Sequence, residues 1–491
     1  MRSGALLLLV ALSLHGQTAA LAEQSALARS YFESNRFADA AAIYAGLVRA
    51  LPGNPGLLLN QGMALHMAGE DAQAIPPLEA ALKLNPRLAP ALLFLGASLM
   101  HLGQPARALK PLESFVALDP HHLEARKMLV DAATQAGQPQ RALPHWEKLA
   151  QLEPQRPAIW YELGRLYEQL ASETFGAMEK SFPESGPWFA LLGDSRSKAT
   201  QRKAAFFFYR KAMAKSPALR GVHAALAGIY LQDGHPEWAA VEQAAEAKLG
   251  APDCAVRSAE CEFRAGRYGA VIGLARPGAE GQYWKVRAYD ALARAAFARL
   301  AALPASPEGM RWQAETYRDQ GRHTEAVAAW REALRLQPGH PDLQRELAGA
   351  LLAIKEYAEA QKLTGALLAA EPEAADLQHL QGDLFLAQQQ AEAAVPFLEK
   401  AAARDPRLLP VRASLARALL LAGRPADALP HVRAALPLDT DGSLHFQLAR
   451  AYQAAGQADA AQAAMAKYQE IQARGRRQDQ VLEDEVKITP P

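Results

Sequence analysis

With 491 residues, the chain is too long for one ordinary domain, so it is either several domains or a repeat array. Half of its residues are hydrophobic and 7% are aromatic, which supplies apolar surface for a core and excludes a wholly disordered polymer. The 53 basic residues are matched by 52 acidic ones, a net charge of +1; this argues against a nucleic-acid partner, since such binders carry a basic excess that neutralises phosphate.

The first feature in chain order is the N-terminus. Arg2 precedes an apolar run over residues 5–14, and Ala20-Leu21-Ala22 has the small-x-small form of a cleavage site. That three-part pattern predicts a signal peptide over residues 1–22 and an exported protein, periplasmic or secreted. An uncleaved anchor is the alternative, but Ser13, His15 and Gln17 interrupt the run well short of the ~20 residues a bilayer requires. No other segment is long and apolar enough to span, so no transmembrane segment is expected after cleavage.

A ladder of prolines and small residues follows. Pro52, Pro86, Pro120 and Pro154 stand 34 residues apart, and twelve residues before each come Ala40, Ala74, Ala108 and Ala142. Twelve earlier again stand Ala28, Gly62, Gly96 and Val130; the ladder resumes with Pro338, Pro372 and Pro406 behind Ala326, Ala360 and Ala394. Two helices of about 14 residues pack closely only where small side chains let the backbones approach. Proline then ends the second helix, because it lacks the amide hydrogen and clashes with the preceding turn. Gly103, Gly137, Gly321, Gly423 and Gly456 fall between the helices, where a positive φ is tolerated.

The chain thereby resembles the tetratricopeptide repeat (TPR) family, whose 34-residue unit is a helix–turn–helix with the pattern W-x2-L-G-x2-Y…A…P. Trp160, Leu163, Gly164 and Tyr167 reproduce its first part, and the match recurs from about residue 22 to residue 472. The resemblance implies an all-α solenoid of about fourteen units whose role is protein–protein interaction. Regular repeats are expected over residues 23–156 and 308–473. Between them, residues 157–307 depart twice in the same way: Tyr167 to Ala171 followed by Phe175 is matched by Tyr289 to Ala293 followed by Phe297. This reads as an older duplication, each copy holding an atypical hairpin with a long first helix. The last helix is expected to end near Gln472 as a cap, and the charged tail, residues 474–491, to be disordered.

Cys254 and Cys261 lie seven residues apart. On a continuous helix that is about 10.5 Å of rise, beyond the ~7 Å between Cα atoms that a disulfide allows. A bridge therefore requires the helix to begin near Ser258 with Cys254 in a folded-back loop; otherwise both are buried thiols. Phosphate-binding loops, zinc-protease helices and nucleophile elbows are missing from the sequence, so no catalysis and no cofactor are expected.

The family resemblance places the concave surface on the first helices. In the N-terminal repeats it holds Phe32, Leu59, Met63, His66, Met67, Leu93, Met100 and His101, an adaptable apolar lining suited to a peptide or protein partner. In the C-terminal repeats it holds Glu308, Arg311, Glu315, Arg318, Asp319, Arg345, Asp383, Arg417 and Arg450. The plain alternative is solvated surface on the charged half and self-packing on the apolar half. The Met and His residues also permit a copper or small-ligand carrier, although Met and His at helical spacing usually serve packing. The carboxylate clamp of chaperone-binding members is absent, because its slots hold Ser25, Arg29, Asn60, Pro90 and Phe94, of which only Asn60 fits. Phe206-Phe207-Phe208-Tyr209, flanked by basic residues, either touches an anionic surface or buries its rings; the small-residue slot at Ala205 favours burial.

Overall fold

The computed structural model describes residues 20–480 and 487–491; the side chains of 477–480 are not considered. The expected signal peptide falls mostly on residues 1–19 and so lies outside the described residues. Within them, 26 α-helices and one short 3-10 turn make up the regular structure, with no strand. Most of the helices pair as antiparallel hairpins, and the fold is an all-α TPR solenoid. None of them is long and apolar enough to cross a membrane. Contacts group the chain into two compact units, Met1–Leu166 and Tyr167–Pro491.

The ladder explains the packing in each unit. Ala40, Ala74, Ala108 and Ala142 in the first unit and Ala205, Ala360, Ala394 and Ala428 in the second are all 0% exposed. The small residue on the partner helix receives a large side chain: a methyl added at Gly62 would meet Leu78 at 2.4 Å, and one at Gly96 would meet Leu112 at 2.5 Å. Second helices end two residues before the ladder prolines, at Ala50, Leu84, Leu118 and Leu152, because the residue preceding proline is driven out of the helical region.

Two recurrent devices satisfy the helix ends. The turn within each hairpin needs one left-handed residue; Gly103 and Gly137 supply it with φ of 65°. Elsewhere the same place is held by Asn35, Thr200, Lys355 and Gln389, all at positive φ, although the left-handed region costs a non-glycine residue about 1–2 kcal/mol. The hairpin geometry outweighs that local cost. Between hairpins, a first-helix side chain reaches back six residues to the ladder proline. Arg126 donates to the Pro120 carbonyl at 2.6 Å, Trp160 to Pro154 at 2.8 Å and Gln378 to Pro372 at 2.6 Å. Three unlike side chains share one task, which is why this slot does not require a tryptophan.

The second unit carries most of the irregular stretch. Pro157–Ser181 and Ala279–Ala301 are single helices of 25 and 23 residues. Each runs straight through the place of the inter-helix turn and so replaces a hairpin, where a hairpin with a lengthened first helix had been expected. The corresponding Tyr167 and Tyr289 meet, with ring centroids 6.4 Å apart, and Lys198 pairs with Asp290 at 2.6 Å. Phe206 and Tyr209 are buried while Phe207 and Phe208 are half-buried, with the Lys211 ammonium over the Phe207 and Phe189 rings. The aromatic run is thus a core element.

The cysteines pair. The helix Ser258–Arg264 begins where a bridge requires it, Cys254 lies in the preceding loop, and the Cα atoms of Cys254 and Cys261 are 5.7 Å apart. At the other end, the last helix runs on to Gln480 rather than stopping near Gln472. Residues 487–491 are not a free tail either, because Ile488 packs on the second unit's core. Polar composition misled here: one apolar residue and one backbone carbonyl are enough to seat a short segment.

Candidate functional site

The candidate surface of the first unit is built on the helices 20–33, Pro55–Met67 and Ala89–His101. Asn54 starts the second of these, accepting from the Gly56 and Leu57 amides, which leaves Pro55 at the first helical position where its missing N–H costs nothing. The helices Pro55–Met67 and Ala89–His101 carry apolar residues around most of their circumference, more than one packed face needs. Leu58, Gly62 and Leu65 are buried against the neighbouring helices. Leu59, Met63, Leu93 and Met100 remain half-buried, and Met67 is 46% exposed. Phe32 is half-buried, edge-on to Phe37 at 5.1 Å.

The histidines come together. His66 and His101, on successive first helices, stack with ring centroids 5.1 Å apart, and Phe94 meets His66 edge-on. Asp71, at the start of the helix Asp71–Leu84, lies between them: its carboxylate oxygens are 2.6 Å from His66 Nδ1 and 3.0 Å from His101 Nδ1. The Ser98 hydroxyl, fully buried, is 2.9 Å from the same His66 nitrogen. Burial would push the Asp71 carboxyl up; hydrogen bonds from Ser98, His66 and His101, with the charge of His66, outweigh it and hold the group below its ordinary value. The three potential ligand atoms lie within 4.8 Å of one another. Such a set serves equally as a self-satisfied clamp across three helices or as imidazole and carboxylate donors for a divalent cation.

Sequence reasoning singled out both histidines but missed Asp71 and Ser98. The available signal was position: Asp71 opens the helix immediately after His66, and Ser98 stands one turn before His101. Met63, Met67 and Met100 have no part in the polar cluster described by these bonds. The charged surface predicted in the second unit is largely paired within itself. Arg311 meets Glu315 at 3.2 Å, Arg318 meets Glu346 at 3.5 Å, Arg345 meets Glu371 at 2.6 Å, and His379 meets Asp383 at 3.2 Å. Arg417 and Arg450 are exposed.

Comparison with known proteins bears on the fold. Tetratricopeptide repeat family models match residues 25–90, 123–166, 286–341, 317–384, 385–444 and 442–467. No curated protein matches the chain. Among solved structures, MamA MSR-1 C2 is 24% identical, spanning 34% of this chain and 98% of that one with a TM-score of 0.30. A thermophilic TPR protein of Thermus thermophilus is 22% identical over 34% of this chain and 91% of its own, with a TM-score of 0.30. MamA 41-end from Desulfovibrio magneticus RS-1 is 19% identical over 34% and 96%, with a TM-score of 0.31. With family models covering both units and the repeat geometry found in both, the chain belongs to the tetratricopeptide repeat family.

Proposed function

We propose that the chain is an exported, non-enzymatic scaffold that binds a partner protein through the apolar surface of its first unit, in envelope assembly, secretion or polysaccharide export. The observation that carries this reading is the row of half-buried Leu59, Met63, Leu93 and Met100 on first helices that bury a separate set of residues, Leu58, Gly62, Leu65, Leu92, Leu95 and Leu99, against their neighbours. Unbranched methionines adapt to varied apolar partners, and a stripe at helical spacing accepts an amphipathic helix or an extended segment. The Cys254–Cys261 bridge supports an oxidising compartment, as disulfides persist outside the reducing cytosol, and the leader-like N-terminus agrees with it.

Crosslinking in the native compartment, followed by identification of the bound protein, tests the reading. Met63→Glu and Leu93→Glu are expected to lower partner capture at least about ten-fold, since burying a carboxylate in an apolar interface costs well over the 1.4 kcal/mol that a factor of about ten represents. Circular dichroism should stay unchanged. Undiminished capture by both folded variants would remove the groove from the proposal.

The His66–Asp71–His101 convergence favours a second reading, a carrier for copper or another divalent cation. Isothermal titration of the purified chain with Cu2+ and with Zn2+ decides it. The carrier reading expects one bound ion, lost in the His66→Ala, His101→Ala double variant. Absence of stoichiometric binding leaves the cluster as a structural clamp.

A further inference from the structure

The second unit holds an occupant that the repeat pattern does not account for. Residues 487–491, Lys-Ile-Thr-Pro-Pro, have no regular structure of their own, yet they lie against the second unit's helices. Tyr230, on the helix Val222–Gln232, donates its hydroxyl hydrogen bond to the Thr489 carbonyl at 2.7 Å, across 259 residues of sequence. Ile488 is half-buried and packs against the aromatic core cluster that contains Phe206, Tyr230 and Val222, with Trp238 beside it.

The need for an acceptor comes from Tyr230 itself. With the segment seated it is 0% exposed, held edge-on by Phe206 at 5.8 Å and Trp238 at 5.6 Å, so in the covered state its hydroxyl has no water to turn to. A buried hydroxyl demands a partner, and here a main-chain carbonyl of an extended segment provides it. Recognition therefore reads backbone at one point and an apolar side chain at the preceding residue, the arrangement of an extended-peptide site. Pro490 and Pro491 stiffen the segment and have no amide hydrogens left to satisfy, which lowers the entropy lost on docking.

We propose that the face of the second unit at Tyr230 is a docking site for an extended apolar peptide ending in prolines, and that the chain's own residues 487–491 are its resident occupant. The tether keeps this segment at about millimolar effective concentration. An external peptide of the same chemistry gains access only by competing with it, so removal of the segment exposes a site that the intact chain keeps covered.

The test uses a fluorescein-labelled Lys-Ile-Thr-Pro-Pro peptide and anisotropy. A chain lacking residues 487–491 is expected to bind it one-to-one with a Kd below about 0.1 mM, one tenth of the effective concentration of its tethered counterpart. The full-length chain should bind at least about ten-fold more weakly, and full-length Ile488→Glu should regain the affinity of the shortened chain, covering the case in which truncation disturbs folding. Tyr230→Phe in the shortened chain should weaken binding several-fold, as should replacing Ile by Glu in the peptide. Lack of saturable binding below about 0.1 mM, equal affinity for the full-length and shortened chains, or binding indifferent to Tyr230→Phe would each overturn the proposal.

Discussion

Trp330→Ala should destabilise the second unit by about 3–5 kcal/mol, the range for removing a large aromatic from a closed core. Trp330, on the helix His323–Leu336, is 1% exposed and sits in one cluster with Val327, Leu343, Leu347 and Leu351. Those partners come from its own helix and from the next hairpin, so the vacated space cannot be filled by one side chain swinging in. In a solenoid each repeat is stabilised mainly by its neighbours. The loss should therefore show first as faster amide exchange in Pro307–Asp319, His323–Leu336 and Pro341–Ala353, with the first unit unchanged. Trp330→Tyr should lose far less, because a tyrosine, Tyr209, fills the corresponding slot of the duplicated block with 4% exposure. Equal exchange in Trp330→Ala and the parent would mean that the hairpin interface is held by something other than this packing.

The second large effect is expected at a glycine. A methyl at Gly193 would stand 2.5 Å from Tyr209 Cε1 and 2.6 Å from Cδ1. The Tyr209 ring has nowhere to go: it is buried, and its hydroxyl donates to Asp194 Oδ1 at 2.7 Å. Desolvation pushes the Asp194 carboxyl up, and Arg287 and Tyr209 pull it back, so moving the ring also strips a partner from a half-buried acid. Overpacking of about 1–3 kcal/mol is opposed by the ~1 kcal/mol that alanine gains over glycine within a helix. At Gly193 overpacking wins, and Gly193→Ala should cost about 1 kcal/mol net. Gly349, in the helix Pro341–Ala353, has nothing within 4 Å of an added methyl. Gly349→Ala should accordingly gain about 0.5–1 kcal/mol. Urea unfolding of the two variants should show shifts of opposite sign; a stabilised Gly193→Ala would show that Tyr209 is less fixed than its bonds imply.

Much of this architecture was legible because its contacts are local and repeated. The alanine of each second helix is buried for one reason every time, and the glycines at the turns answer one recurring demand for positive φ. The cysteine pair shows the limit. Its seven-residue spacing permitted either two thiols or a bridge, and only the start of the helix at Ser258 brought the two Cα atoms within reach. The duplicated middle was visible as matching words around Tyr167 and Tyr289, but not that each copy would lose its turn to one unbroken helix. At the candidate surface, the apolar residues followed from the register of the repeat. The polar cluster did not, since Asp71 and Ser98 join His66 and His101 from two further positions that the repeat leaves unconstrained.

The sequence by itself determined the repeat, the helix ends of its regular units and the burial of its small residues, because every one of those features is decided within about 34 residues of chain. Tertiary structure alone decided three things: the Cys254–Cys261 pairing, the convergence of His66, Asp71 and His101, and the seating of Ile488 and Thr489 beside Tyr230. The last of these joins groups 259 residues apart. No periodicity encodes such a contact: its partners need only the right shape and one unsatisfied hydroxyl, and those exist only once the helices of the second unit have packed to present them.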